Sequence, residues 1–224
     1  PVTPPGPPAP PATPPPATVN VIHGIPDFPA TVCVNGEPAL AMFAYKDVAT
    51  VRLPADEYEV AVLPGFGASC DGAPALGPYT LPLDGGVNYS VIAHLDAEGE
   101  PTASVFVNDT TPTRPGTARV VVHHTAAAPA VIAKVGRFTE SALDVITHPF
   151  ENVTVEGSEV PLTLQIRPGN WAVELYAEDG DPNIPVFGPV PYNLSPHTLY
   201  LVYAVGALDN QFSFVVVSAP LPLF

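Results

Sequence analysis

Positive charge is what this sequence has least of. Seven Lys and Arg stand against 22 Asp and Glu, a net charge of −15. A phosphate backbone is held by a Lys/Arg surface, so nucleic acid is excluded as a partner. Anionic membranes are disfavoured for the same reason. The acidic balance reads as solubility, or as tolerance of salt and divalent cations. Long apolar runs are missing too. A spanning helix needs about 20 consecutive apolar residues. The longest candidate, Thr198 to Leu208, is shorter and reads as a buried strand. Cysteine is scarce: Cys33 and Cys70 are the two in the chain, and they form no C-x-x-C motif. No spaced His and Asn/Asp signature accompanies either, which argues against thiol catalysis. Two thiols in the first half of a secreted chain are read as one disulfide, with a buried free pair as the alternative.

Nucleotide and hydrolase fingerprints are also absent. There is no P-loop and no dinucleotide motif. Ser69 lies in G-A-S-C-D-G, where Asp71 stands in place of the glycine that a nucleophile elbow needs. No signal peptide is present, and a start at Pro1 is compatible with a mature form after signal cleavage. No cofactor is expected, and the chain is read as a non-enzyme; a hydrolase would need converging titratable groups that no motif supplies.

Proline, by contrast, is abundant. The 32 prolines are far above the usual share of roughly 5%. Ten of them, Pro1, Pro4, Pro5, Pro7, Pro8, Pro10, Pro11, Pro14, Pro15 and Pro16, crowd the first sixteen residues. Such a run forms neither helix nor central strand and is expected to be a polyproline II arm. At about 3.1 Å per residue it reaches roughly 50 Å.

Beyond the arm the chain says the same thing twice. Val19 to Ala30 returns as Arg119 to Ala130, pairing Val21 with Val121, His23 with His123 and Pro29 with Pro129. Leu76 to Leu95 aligns with Phe187 to Gly206, pairing Gly77 with Gly188, Tyr89 with Tyr200 and Val91 with Val202. Matched segments in matched order indicate two copies of one fold. The predicted layout is an arm over 1–16, a first repeat over 17–112, a linker over 113–116 and a second repeat over 117–224. In the first copy, strands are expected over 18–23, 30–34, 39–44, 48–53, 57–63, 77–83, 88–95 and 102–108. In the second they are expected over 117–124, 130–136, 142–147, 151–155, 160–167, 170–177, 186–193, 197–206 and 210–218. Asn35-Gly36 and Asp84-Gly85-Gly86 supply turns. Glu140 to Val145 is allowed one helical turn. Trp171 takes the place of Tyr58. Short strands at this spacing predict an all-β chain of two tandem immunoglobulin-like antiparallel sandwiches.

The segment H-G-I-P-D-F-P-A-T-V-C-V-N-G, His23 to Gly36, resembles the signature of the domain of unknown function 4397 family. His23, Pro26, Asp27, Pro29, Val32, Val34, Asn35 and Gly36 carry the likeness. F-A-Y-K-D-V and L-P-A-D-E-Y-E-V extend it through Val60. The second copy keeps His123, Pro129 and Ala130 but lacks the Pro-Asp step and the Asn-Gly turn. The resemblance implies a secreted or surface-exposed β-sandwich module, often in tandem, with no catalytic residues to carry over.

The remaining candidates are read as scaffold. His23 and His123 are expected at equivalent strand ends as structural turn residues, with Asp27 capping the first turn. His124 should point away from His123 on an alternating strand. Asp96, Glu98 and Glu100, and Glu178, Asp179 and Asp181, are solvated turns, with Asp96, Glu98, Asp179 and Asp181 the weak calcium candidates. Sequons occur at Asn88, Asn108, Asn152 and Asn193. Tyr58, Tyr89, Tyr176, Tyr200 and Tyr203 are expected in the core, or on a sugar platform if exposed. The expected function is that of a non-enzymatic extracellular structural protein, a filament or sheath subunit that polymerises with itself through its arm. The alternative is a cell-surface adhesin that binds glycans.

Overall fold

The computed structural model describes residues 14–137, 149–150, 161–178, 180, 181 and 183–223. The strands expected over 142–147 and 151–155, the helical turn at Glu140 to Val145, Asn152, Asp179 and arm residues 1–13 lie outside them. The described residues form strands and turns and no helix.

The first half contributes β1 (Ala17–His23), β2 (Ala30–Val34), β3 (Glu37–Phe43), β4 (Val48–Leu53), β5 (Asp56–Pro64), β6 (Leu76–Leu83), β7 (Asn88–Leu95) and β8 (Pro101–Asn108). The second contributes β9 (Ala118–His124), β10 (Val131–Arg137), β11 (Pro149–Phe150), β12 (Leu162–Ile166), β13 (Gly169–Ala177), β14 (Phe187–Leu194), β15 (Thr198–Ala207) and β16 (Asn210–Pro220). Four sheets result, ordered β4-β1-β7-β8, β3-β2-β5-β6, β12-β9-β15-β16 and β11-β10-β13-β14. The two halves thus repeat one strand order.

Local chemistry sets the turns and bends. Asn35 and Gly36 both adopt positive φ, 51° and 78°, as the tight turn between β2 and β3 requires. Gly77 and Gly188 sit opposite bulges in β5 and β13 with φ of 88° and 98°. A Cβ there would stand 2.7 Å from the Val60 carbonyl and 2.6 Å from the Val173 carbonyl. Only glycine lets the two backbones approach so closely.

Two expectations are corrected by the registers. The sheets are not purely antiparallel: β1 pairs parallel with β7, and β9 parallel with β15. The repeat offset in the first strands is 101, not 100. Val19 lies beside Tyr89, and Val120 beside Tyr200. His23 lies beside Ala93, and His124 beside Ala204. The counterpart of His23 is therefore His124, not His123. A one-residue slip exchanges the faces of a strand, so the correction reverses which side His123 occupies.

The layers follow from which faces share a core. Val19 and Tyr89 pack with Leu81 and Leu83 between the first two sheets. Val120, Val122 and Val202 pack with Leu175 and Leu194 between the last two. Ile22 and Ile92, on the opposite face of the β1/β7 sheet, pack with Val121, Leu199, Leu201, Tyr203 and Val205. The halves therefore stand side by side as a four-layer block, with β1/β7 and β9/β15 buried on both faces.

Candidate functional site

The seam between the two inner sheets is the most built feature of the molecule. At its centre, His123 stacks on Tyr203, with ring centroids 5.0 Å apart and planes within 8°. Phe106 of β8 closes on His123 at 4.1 Å. Tyr203 is fully buried. Offset aromatic stacks of this kind add to the area they bury.

One end of the seam is polar and saturated. The Asn20 amide donates to Asn88 Oδ1 and to the Tyr89 carbonyl, both at 3.1 Å. Thr50 donates to Asn20 Oδ1 at 2.9 Å. The Asn108 amide donates to Asn88 Oδ1 at 2.8 Å and to Ser90 Oγ at 2.9 Å. Asn20, Ser90 and Asn108 are buried, and a saturated network of this sort fixes one packing rather than many. Beside it Arg119, buried at the start of β9, clamps the segment that follows β8. Its guanidinium donates to the carbonyls of Asp109 and Thr111 at 2.7 and 3.0 Å and pairs with the Asp109 carboxylate at 3.1 Å. Burial pushes the Asp109 carboxyl up. Hydrogen bonds from Thr111 and the Arg119 charge outweigh that and hold it below its usual range.

The other end is joined by backbone. Gly206 N–H donates to the Gly24 carbonyl at 3.1 Å. The Tyr45 hydroxyl donates to the Gln211 carbonyl; burial pushes that phenol up to about 12. The Asp27 carboxylate accepts from the Gln211 amide at 3.0 Å and the Asn210 amide at 3.5 Å. Asp27 does adopt a turn conformation, with φ of 52°, but its side chain ties the first turn to the second half of the chain.

The other predicted residues fall as follows. Cys33 and Cys70 are bonded, joining β2 to the loop before β6. Thr31 braces that loop, donating to the Gly65 carbonyl at 2.8 Å and accepting from Ala68 N–H at 3.0 Å. His23 spans the β1–β2 turn: Nδ1 accepts from Ile25 N–H at 3.2 Å, which leaves Nε2–H to donate to the Phe28 carbonyl at 2.7 Å. His124 repeats the second contact, Nε2 to the Pro129 carbonyl at 3.2 Å. Pro14 and Pro15, the root of the arm, rest on Gly85 and Gly86.

Of the sequons, Asn108 is buried with its side-chain nitrogen donating twice in the network, half-buried Asn88 joins it through Oδ1, and Asn193 is exposed. Asp96 Oδ1 accepts from the N–H groups of Glu98 and Glu100, and Asp181 Oδ1 from Asn183. These are self-capped turns, and among the described residues no three His, Cys, Asp or Glu converge as a metal site. Tyr89, Tyr176 and Tyr203 are buried. Tyr58 and Trp171 each donate to the carbonyl four residues back. Tyr89 and Tyr200 each accept from the backbone N–H five residues back. These tyrosines and the tryptophan hold the scaffold and do not assemble an exposed platform. The C-terminal apolar segment is partly docked: Leu221 is buried in the seam core, and its N–H donates to the His197 carbonyl at 2.8 Å.

The seam was missed by sequence reasoning. Its signal lay in R-V-V-V-H-H and L-Y-L-V-Y-A-V-G, apolar on consecutive positions, as strands buried on both faces read.

Burial lowers the affinity of His23 for a proton. The neutral ring is the folded form, while the unfolded chain takes up a proton near its usual pKa of about 6.5. The stability His23 contributes is thus present above that value and lost as pH falls below it. Thermal unfolding between pH 8 and 5 should show a loss on acidification that His23→Gln reduces. An unchanged pH dependence in the variant would remove His23 from the cause.

Among the described residues no helix is long and apolar enough to cross a membrane. No curated protein matches the chain. The family described as a domain of unknown function, DUF4397, matches residues 17–134, from the first residue of β1 into β10. That span takes in more than half of the 224 residues, together with the His23 turn, the disulfide and the first half of the seam, and the chain belongs to the DUF4397 family.

Proposed function

We propose that the chain is a non-enzymatic extracellular structural subunit: two tandem immunoglobulin-like sandwiches fused side by side and led by a polyproline II arm. The arm of one subunit lies along a sheet edge of the next. That contact is heterologous and need not close, so it yields an open polymer. The observation that carries this reading is the buried seam. It joins the halves into one rigid block, which transmits load as a single body where a flexible tether would not. The disulfide supports an oxidising compartment.

The termini support the arm's role. Pro14 and Pro15 meet the chain at the Gly85-Gly86 turn, next to the start of β1. The end of β16 lies beside the start of β15, and His197 N–H donates to the Thr117 carbonyl. Arm and C-terminal segment thus leave from the same end of the block as the Arg119 clamp. Sizing and negative-stain electron microscopy of the full 224-residue chain and of a chain lacking residues 1–13 test the reading. The full chain is expected to polymerise and the shortened one to remain a folded monomer. Polymers that survive the deletion would contradict the arm mechanism, and a full chain that stays monomeric at high concentration would contradict the structural role.

A further inference from the structure

The two halves share a strand order but not an interior. Between its sheets the first half encloses a cavity of about 240 Å³ and a second of about 150 Å³. They share the walls Val21, Val32, Val60, Leu81 and Val91, so together they form one elongated space. Among the described residues, the spaces at the matching positions of the second half measure about 10 and 30 Å³.

The registers identify what fills the second half. The cross-strand pair Tyr58–Leu81 corresponds to Trp171–Tyr192. Ala103, opposite Ala93, corresponds to Phe214, opposite Ala204. At these described positions the same scaffold is thus filled in one copy by Trp171, Tyr192 and Phe214, and left hollow in the other. Protein interiors pack like organic crystals, and voids larger than a water molecule are few. A dry aliphatic cavity of about 150 Å³ is known to take up benzene or xenon.

We infer that the first half binds a slender aliphatic chain in the space between its sheets. The lining fixes the chemistry. It is mostly Val, Leu and Ala with Ile22, Phe43 and Tyr58, and the buried polar group in it, His23, already has both ring nitrogens engaged by the β1–β2 turn. The interior therefore offers nothing to a polar body. Two packed sheets stand about 10 Å apart, which leaves room for one layer of side chains and hence for a chain rather than a bulky ring system. The space has an entrance: Tyr79 and Val105 line it and are about half exposed, and exposed Thr80 adds a hydroxyl to its lining. A small head group stays in water there while the tail runs inward. With a net charge of −15 on the chain, a neutral head is preferred over an anionic one.

The test uses the full chain with two probes, xenon and 1-decanol, read by methyl NMR. Both are expected to shift the methyls of Val32, Val60 and Val91 while leaving Val173 and Val202 unmoved. The double substitution Leu81→Tyr with Ala103→Phe copies the second half's filling, and it should weaken decanol binding at least ten-fold. If that variant does not fold, the wild-type methyl map decides alone. Absence of shifts near the solubility limit of decanol, equal shifts in both halves, shifts confined to surface residues such as Val107, or undiminished binding by a folded filled variant would each overturn the inference.

Discussion

Tyr203→Ala is expected to lower the stability of the whole chain by about 3–5 kcal/mol, the usual consequence of removing a large buried aromatic. Tyr203 is fully buried, but not within either sandwich. It lies on the outer face of the β9/β15 sheet, stacked on His123 and packed with Ile22 and Ile92 of the other half. Were the halves merely tethered, that face would be wet, and the substitution would fall within about 0.5 kcal/mol of neutral. Chemical unfolding of the variant therefore separates the two arrangements by its magnitude alone. A loss below about 1 kcal/mol would show that the seam does not hold in solution.

Removing the disulfide has a comparable effect. Cys33 and Cys70 are 37 residues apart, and opening a loop of that size releases about 4 kcal/mol of chain entropy to the unfolded state. The expected shift for a chain of this length is roughly 8–16 °C in Tm. The bond matters more here than in a well-packed domain, since the half it closes is the hollow one. Calorimetry of Cys33→Ala with Cys70→Ala measures it. A shift of only a degree or two would mean that Thr31 and its hydrogen bonds already fix the 65–68 segment without help.

Much of the fold was legible because its signals are local. Period-two alternation located the strands of the first half to within a residue or two. The Asn35-Gly36 pair named its own turn, and two cysteines in the first half of a chain read as secreted made a single bond the natural reading. What was illegible depended on which face of a strand meets what. V-V-V-H-H carries no alternation to anchor it, so an offset of 100 looked as good as 101. Only the hydrogen-bond register shows that His124, not His123, matches His23. The seam was hidden for the same reason, since consecutive apolar positions announce two-sided burial without naming the partner sheet. That the sequon residues Asn88 and Asn108 meet Asn20 was not legible either, since the three come together from separate strands. Their shared network is a property of the packing and not of any one motif. The hollow in the first half was equally invisible. Leu81 and Ala103 are ordinary core residues until each is set against Tyr192 and Phe214 in the filled copy.

The claim on which the rest depends is that the two halves form one body. Trp171, the sole tryptophan, reports on the second half from β13, while far-UV circular dichroism reports on both. Following denaturant unfolding of the full chain by the two signals tests the claim most directly. Coincident curves with one midpoint are expected, as a single cooperative unit gives. Two separated transitions, with Trp171 tracking only one, would mean that the halves fold and move independently and would contradict it.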